Sequence, residues 1–349
     1  MGSELPLTPA DLGLPPKFSA WRPNQGLGIL RSLQLETRFG GHGAPTGLGK
    51  SPMAIAHALI SEERTAYLTS TKGLQGQLLA DFAGCGLTDI RGRNNYRCHM
   101  SPEMTCEDGQ DARCPMNRTA GCPYWLAYER AKAASLVVTN YSYWCAIHAY
   151  GEGLDRFGLL VLDEAHDCGD AICNAVACEV TSREVYQMLG AEFPTPEENQ
   201  EAWREWGRHQ LPDAERRVKE IGEAIRNGNV TSHRLALLRQ WKALARKLAS
   251  LSGMLGPWVV EATKHGYRLD PLWPSQYAEK VLFLGIPRIV LYSATLRPKT
   301  MGLLGVPDKE MTFWEYPSGF PPANSPIIHI PTVVMDRHAD AGVMALWLS

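Results

Sequence analysis

The sequence predicts an α/β fold in which a doubly wound parallel sheet carries helices on both faces. Short apolar runs recur along the chain, and each is followed by a turn or a helical stretch. Runs that are apolar on both faces are typical of strands buried inside a parallel sheet. The 349 residues suffice for one large domain with insertions or for two domains. The runs are TAYLTS (65–70), SLVVTN (135–140), GLLVLDEA (158–165) and RIVLYSAT (288–295).

Composition and charge exclude several classes of protein. The chain is 44% hydrophobic and 21% charged, with a net charge of −2, so any nucleic-acid-binding surface has to be local. No stretch resembles a signal peptide, and no apolar run approaches the ~18 residues of a membrane span. We therefore expect a cytoplasmic protein with no membrane partner. In a reducing compartment, the nine cysteines are more typical of metal ligands than of disulfides.

The first predicted strand, TRFGGHG (37–43), leads into APTGLGKS (44–51), and SPMAIAHALI predicts a helix after it. The stretch fits the P-loop template except that Ala44 replaces the first glycine. In such a loop, backbone amides and the positive end of the helix hold phosphates. Lys50 would neutralise β- and γ-phosphate oxygens, and Ser51 would ligate Mg²⁺. The predicted ATP-binding residues here are Pro45, Thr46, Gly47, Leu48, Gly49, Lys50 and Ser51.

The segment LLVLDEAHD (159–167) supplies the acidic half of the predicted site. A buried strand carries two carboxylates at its C-terminal end, where α/β sheets bind ligands. Asp163 would hold Mg²⁺ through water, and Glu164 would orient and activate the attacking water. His166 would sense the γ-phosphate. Together with Lys50, the two carboxylates are the predicted catalytic residues.

Two regions interrupt the alternation of strands and helices, and we interpret both as insertions into one α/β core. Residues 91–125 are rich in Cys, Arg, Asn and Pro and show little periodicity. Residues 171–256 are mostly helical, since the segments 213–229 and 232–251 have apolar positions three and four residues apart.

Four cysteines in the first region share one spacing, with seven residues between each and the next. Structural zinc usually uses a C-x₂₋₄-C knuckle, which this region lacks. Four thiolates in a loop-rich segment can also hold an iron–sulfur cluster. Their pattern therefore predicts a metal site, and it leaves zinc or unligated cysteines as alternatives to an iron–sulfur cluster. The cysteines are Cys98, Cys106, Cys114 and Cys122.

Several segments together resemble a known family. APTGLGKS, DEAH and YSATL (292–296) resemble superfamily 2 helicases. GRNNYRC and CPYWLAYERAKAASLVVTNYSYW resemble the iron–sulfur insertion of the DinG and xeroderma pigmentosum group D (XPD-like) helicases. The resemblance implies a RecA-like motor domain of the P-loop NTPase type, a [4Fe–4S] cluster on the four cysteines and a helical arch.

The same resemblance implies further site residues. WRPNQ (21–25) resembles the adenine-recognition segment, with Arg22 and Gln25 at the nucleotide. Ser293 and Thr295, with His166, would couple the ATP state to strand movement. TSTKGLQGQL (69–78) and TNYSYW (139–144) resemble DNA-contacting segments, the second with aromatic side chains that could stack on bases. The predicted DNA-binding residues are Thr71, Asn140, Tyr141, Arg91 and Arg93.

The predicted organisation is a first motor domain with two insertions. The motor domain comprises 1–90, 126–170 and 257–335, the cluster insertion 91–125, the arch 171–256 and a C-terminal remnant 336–349. About 50 residues follow Thr295, and we expect them to be too few for the second motor domain that this family carries.

We therefore expect an ATP-dependent DNA helicase motor domain, and the resemblance alone implies 5′-to-3′ polarity. Its expected ligands are ATP, Mg²⁺ and single-stranded or forked DNA, and a second motor domain or subunit would be needed for full activity. One alternative is a truncated, non-catalytic helicase-like regulator that binds DNA or a partner. Another is a zinc-stabilised nucleotide switch.

Overall fold

A seven-stranded sheet lies at the centre of the computed structural model, which describes residues 5–196, 199–227 and 231–318. Its strands are β1 (Phe39–Gly43), β2 (Thr65–Thr69), β3 (Leu87–Asp89), β6 (Leu136–Asn140), β7 (Leu159–Asp163), β11 (Arg288–Ser293) and β12 (Met311–Glu315). They lie in the order β12–β1–β11–β7–β2–β6–β3, and every neighbouring pair is parallel. The predicted RecA-like α/β fold class is confirmed.

Helices cover both faces of this sheet because its strands are apolar on both sides. Alternate strand residues enter opposite layers, so that Tyr67 lies in one apolar layer while Ala66 and Leu68 lie in the other. Helices α1 (Gln25–Leu33), α2 (Lys50–Ser61) and α3 (Lys72–Asp81) contribute to the first layer. The second layer is formed by α5 (Pro123–Ala133), α6 (Tyr141–Tyr150), α7 (Cys168–Val176), α10 (Ser275–Ala278) and α11 (Pro298–Leu303).

The C-terminal ends of the central strands form one edge on which most predicted site residues lie. Gly43 of β1 is opposite Ser293 of β11, and Tyr292 is opposite Asp163 of β7. Because these ends are aligned in register, the loops that follow β1, β7 and β11 are neighbours in space. The sheet therefore places the P-loop segment, the DEAH segment and the YSATL segment side by side.

The cysteine-rich region forms a small unit between β3 and α5. A two-stranded antiparallel sheet joins β4 (Arg97–Cys98) to β5 (Ser101–Thr105), and α4 (Cys106–Asp111) follows directly. A capping box at Thr105 and Asp108 starts α4. The elements of this unit are only two to six residues long, too short for the sequence periodicity to predict them.

Two long helices form the second interruption. α8 (Gln200–Arg226) begins 13 residues before the predicted start at 213 and runs through Pro212, and α9 (Ser232–Ser252) lies close to its predicted bounds. A Cβ on Gly207 of α8 would come within 2.8 Å of Leu251 of α9, so the helices approach each other closely.

A three-stranded antiparallel sheet, which the sequence analysis did not predict, lies at the ends of these two helices. It contains β8 (Cys178–Thr181), β10 (Gly266–Pro271) and β9 (Trp258–Thr263), in that order. The predicted boundaries assign β9 and β10 to the motor domain, yet β10 pairs with β8 of the predicted arch region. The small sheet thus spans the predicted boundary at 256.

Shorter helical segments complete the described chain. They are the 3₁₀ turns Arg93–Asn95, Ala165–Asp167 and Asp308–Glu310 and the π-helical segments Arg183–Leu189 and Glu279–Phe283. None of the helices within the described ranges combines the length and apolar character that a bilayer span requires. The predicted remnant 336–349 and the segment 319–335 lie outside the described residues.

Candidate functional site

The loop between β1 and α2 has the backbone conformation that suits phosphate binding. Gly47 and Gly49 have φ angles of 83° and 84°, in the left-handed region that glycine adopts most readily. A Cβ on Gly49 would lie 2.3 Å from Nε2 of Gln25. Helix α2 begins directly afterwards at Lys50. The positive end of the helix and its unpaired first amides therefore lie at the loop.

Arg22 and Gln25 brace this loop from the side of α1. Arg22 Nη1 donates to the carbonyl of Gly47 at 2.9 Å. The Gln25 amide donates to the carbonyls of Leu48 and Gly49 at 2.8 and 3.1 Å, and its oxygen accepts from the Arg22 amide at 2.8 Å. Contact of either side chain with a nucleotide base stays a prediction, since here both hold the loop.

The two carboxylates after β7 have different environments. Asp163 is buried, and its Oδ2 accepts a hydrogen bond from the Tyr67 hydroxyl at 3.0 Å. Burial raises the pKa of Asp163 to about 6, and the neighbouring Glu164 charge acts in the same direction. The Glu164 carboxylate is more exposed and lies 3.1 Å from Lys50 Nζ. The acid that would hold a metal is thus fixed in place, while the other faces the P-loop lysine.

These residues line one cavity of about 230 Å³ at the C-terminal edge of the sheet. It brings the P-loop and the first turn of α2 together with the two carboxylates, which follow the P-loop by more than 100 residues in the sequence. Leu74, Gln77 and Asp81 of α3 complete its wall. From the predicted set, the lining residues are Arg22, Pro45, Thr46, Gly47, Gly49, Lys50, Ser51, Asp163 and Glu164.

The three predicted coupling residues also meet. His166 Nδ1 lies 2.8 Å from Ser293 Oγ, and Ser293 Oγ lies 3.3 Å from Thr295 Oγ1. His166 is also 3.4 Å from the Glu164 carboxylate. A continuous set of polar contacts therefore joins the carboxylate beside the P-loop to the end of β11.

The four regularly spaced cysteines converge on one place. Cys98, Cys106, Cys114 and Cys122 are all buried, and all line a small cavity together with His99, Gln110, Asn117 and Pro123. The sulfurs of Cys106 and Cys122 are 3.9 Å apart. Burial raises the pKa of the Cys98 and Cys106 thiols. Among the described residues, however, no three His, Cys, Asp or Glu side chains are arranged as ligands of a metal ion.

The predicted DNA-contacting residues after β2 and β6 lie in different environments. Thr71 is exposed and caps α3, accepting from the Leu74 amide at 3.2 Å. Asn140 is buried and caps α6. Tyr141 is only 1% exposed, and its hydroxyl donates to the Asp163 carbonyl at 2.8 Å. In this structure the Tyr141 ring is therefore enclosed in the core and offers no face for base stacking, and contact of Tyr141 with DNA stays a prediction.

The two predicted arginines also differ. Arg91 pairs with Asp89 at 3.0 Å. Arg93 lies with its guanidinium 3.9 Å from the centroid of the Tyr124 ring, at the wall of a cavity of about 540 Å³. This second cavity is lined by aromatic and charged side chains, among them Trp125, Tyr128, Tyr143, Arg118, Arg246, Glu107 and Glu152.

No family model and no curated protein match the chain, but solved structures do. The structure described as "XPD_Helicase" matches with a TM-score of 0.59 and 14% identity, over 84% of this chain and 62% of that one. The structure described as "Truncated XPD" matches with a TM-score of 0.52 and 15% identity, over 84% of this chain and all of that one. The chain has an XPD-like helicase fold. The predicted resemblance is confirmed at the level of the fold.

A third structure, described as "XPD_APO", has the same fold, with a TM-score of 0.50 and 13% identity. The chain spans 62% of "XPD_Helicase" and 57% of "XPD_APO", less than two thirds of each. At such identities, the XPD-like fold is what the comparisons establish. The activity has to be argued from the side chains.

Sequence reasoning missed two features of this XPD-like fold. It did not single out Tyr67, because a tyrosine in a buried strand is indistinguishable from a core residue by pattern. It also missed the cavity at Arg93. A sequence signal for this cavity was present, since CPYWLAYER places three aromatic residues within six positions of the fourth cysteine.

Proposed function

We propose that this chain is the first motor domain of an ATP-dependent DNA helicase. One observation carries the proposal: Lys50, Ser51, Asp163 and Glu164 surround a single cavity at the C-terminal edge of a RecA-like sheet. A nucleotide triphosphate with Mg²⁺ matches that set of groups, since it presents negative oxygens and a cation that prefers oxygen ligands.

Each side chain of the cavity has one role in this proposal. Lys50 would neutralise β- and γ-phosphate oxygens, and this frees Glu164, its present partner, to orient the attacking water. Ser51 would supply an oxygen ligand to Mg²⁺, Asp163 would hold the ion through water, and the ion would offset phosphate charge when bound. His166, hydrogen-bonded to Ser293, would relay the state of this site to the sheet edge.

Nucleotide binding tests the proposal directly. In Lys50→Ala, the affinity for ATP with Mg²⁺ should fall about 10- to 100-fold, the usual effect of losing a charged contact. Lys280→Ala, at an exposed lysine of the segment Glu279–Phe283, should bind as the wild type does. Isothermal titration calorimetry measures both. Absence of binding in the wild type, or equal binding in Lys50→Ala, overturns the nucleotide assignment.

The helicase part of the proposal also requires ATP hydrolysis and a direction of movement along DNA. In phosphoryl transfer an arginine from a second lobe contributes about 10³- to 10⁵-fold in rate, so we infer that full activity needs a second motor domain. The 5′-to-3′ polarity is inferred from the XPD-like fold. Nucleotide binding without DNA-stimulated hydrolysis, even with such a domain supplied, would favour the non-catalytic regulator.

We further propose that the four cysteines hold a [4Fe–4S] cluster. Their buried thiols line one cavity, and thiolates are the ligands that such clusters use. A cluster of four irons is larger than one ion, so its ligands need not converge on a point as the ligands of zinc do. When bound, it would cross-link β4, α4 and the start of α5.

Single-stranded DNA is the proposed ligand of the second cavity. Arg93 and Arg246 there suit a phosphate backbone, Arg118 would have to exchange its ion pair with Glu152 for a phosphate, and Trp125 suits base stacking. The hydroxyl groups of Tyr124 and Tyr143 are hydrogen-bonded to each other at 3.0 Å, which fixes the aromatic wall.

A further inference from the structure

The side chain of Tyr67 links the two oxygen groups proposed to hold Mg²⁺. It lies at the middle of β2, is fully buried, and is opposite Val161 of β7 in the sheet register. Asp163 is two residues further along β7, and residues two apart in a strand project from the same face. Tyr67 and Asp163 therefore project toward α2, which carries Ser51.

Hydrogen bonds hold both oxygens of the Asp163 carboxylate. Oδ2 accepts from the Tyr67 hydroxyl at 3.0 Å, and Oδ1 accepts from the Glu164 amide at 3.0 Å. The Ser51 side chain also interacts with the Tyr67 phenol, and this interaction opposes the rise in the Tyr67 pKa that burial causes. One phenol thus lies between a side chain of the P-loop helix and a side chain of the DEAH segment.

A hydroxyl at this position requires a reason, because neighbouring strand residues in the same layer are apolar. Val138 and Val161 flank Tyr67 on the adjacent strands. A buried hydroxyl lowers stability unless it is hydrogen-bonded, and phenylalanine would fill the same space without that requirement. The reason for a tyrosine at this position is therefore the contact of its hydroxyl with the oxygen groups beside it.

We propose that Tyr67 is a positioning residue that fixes Ser51 and Asp163 as a preformed pair of groups that would hold Mg²⁺, Ser51 directly and Asp163 through water. The inference rests on the proposed function. Residues that orient metal ligands without touching the metal typically contribute 10- to 100-fold to metal affinity or activity. Tyr67 acts from inside the sheet, so its effect should appear in the Mg²⁺ requirement and not in contact with the nucleotide itself.

The test measures binding of a fluorescent ADP analogue to the whole chain as MgCl₂ is increased, and again in EDTA. In Tyr67→Phe, the Mg²⁺ concentration that gives half-maximal binding should rise about 10-fold or more. Affinity in EDTA should change less than about 2-fold, because the P-loop contacts are retained. A merely structural defect would weaken both measurements alike.

Tyr292→Phe is the matched control. Tyr292 is a fully buried tyrosine of β11 in the same apolar layer, and its hydroxyl contacts Ser32 at 3.2 Å instead of a group proposed to hold Mg²⁺. Its Mg²⁺ requirement should stay that of the wild type. An unchanged Mg²⁺ requirement in Tyr67→Phe overturns the inference and leaves the proposed function standing. A wild-type chain that binds no nucleotide overturns both.

Discussion

Glu164 has a backbone conformation that is uncommon for its residue type. Its φ and ψ angles are 50° and 49°, in the left-handed region, where a non-glycine residue costs about 1–3 kcal/mol. In this conformation its amide donates to Asp163 Oδ1 while its carboxylate reaches Lys50. These contacts to Asp163 and Lys50 therefore offset the local strain and hold both acids around the cavity.

His57 is a second residue whose environment has a measurable consequence. It lies in α2, is fully buried, and neither ring nitrogen has a hydrogen-bond partner among the described residues. Burial lowers its pKa from 6.5 to about 3, and the charge of Arg288 acts in the same direction. The folded protein thus holds a neutral imidazole where the unfolded chain would take up a proton.

The consequence is a loss of stability in acid. Because the pKa of His57 is lower in the folded chain, its contribution to stability falls as the pH drops below about 6.5 and levels off near pH 3. Between pH 7 and pH 5, His57→Leu should reduce the acid loss of unfolding free energy by about 2 kcal/mol. Urea unfolding at the two pH values measures it.

The control for this prediction is His233→Leu, at an exposed histidine of α9. This variant should keep the wild-type difference between pH 7 and pH 5. Equal acid sensitivity of His57→Leu and the wild type would contradict the assignment of a buried neutral imidazole.

At the scale of elements, the cysteine-rich region 91–125 is held against the long helix α9. Its short helix α4 carries Asp108 and Asp111, and these pair with Arg239 and Lys242 of α9. Asp111 is largely buried, so removal of its lysine would leave a poorly solvated carboxylate. The segment therefore connects the long helices to the motor sheet, and its order should depend on what its cysteines bind.

The prediction at this scale concerns Cys106→Ser. We expect the variant to lose most of the iron and acid-labile sulfide that the wild type should contain, about four of each per chain. Proteolysis should then become faster within 91–125, while nucleotide affinity should be retained, because the P-loop lies on the sheet. Metal analysis, limited proteolysis and nucleotide titration measure the three effects.

Cys85→Ser serves as the control, since Cys85 is buried away from the other four and contacts the Gly13 carbonyl. The Cys85→Ser variant should retain the iron content of the wild type. Wild-type iron content in Cys106→Ser would show that Cys106 is not a ligand. Stoichiometric zinc in protein purified without oxygen would contradict the cluster and show that the four cysteines form a zinc site.

For the whole molecule, charge is nearly balanced but unevenly placed. The chain has 35 Lys and Arg against 37 Asp and Glu. Long-range attraction for a polyanion is therefore weak, and DNA binding should depend on the few arginines at the second cavity. If three phosphates are contacted, the logarithm of affinity should fall with the logarithm of salt concentration with a slope of about −2.

Arg93→Gln tests whether DNA binding depends on the arginines of the second cavity. The variant should bind single-stranded DNA about 10-fold more weakly at moderate salt, with a slope shallower by about 0.7, because one charged contact is lost. Arg268→Gln should bind as the wild type does, since Arg268 lies on β10 and does not line the second cavity. Fluorescence anisotropy with a labelled oligonucleotide measures both slopes. Identical slopes in Arg93→Gln and the wild type would contradict the proposal that single-stranded DNA binds in the second cavity.

The central strands were accessible to sequence analysis because a buried parallel strand leaves a continuous apolar run. β2, β6, β7 and β11 each match their predicted run within a few residues. The three-stranded sheet was missed because β9 is largely exposed and lacks such a run. α8 was predicted too short, since Pro212 normally marks a helix end.

The sequence by itself determined the α/β class, the P-loop and the acidic strand end, because those features depend on local spacing along one strand and one helix. Only the tertiary structure decided that Tyr141 is enclosed in the core and that Tyr67 reaches Asp163. It also decided that aromatic side chains gather beside Arg93. Burial and contact between distant residues follow from how strands align and helices pack, and periodicity carries no record of either.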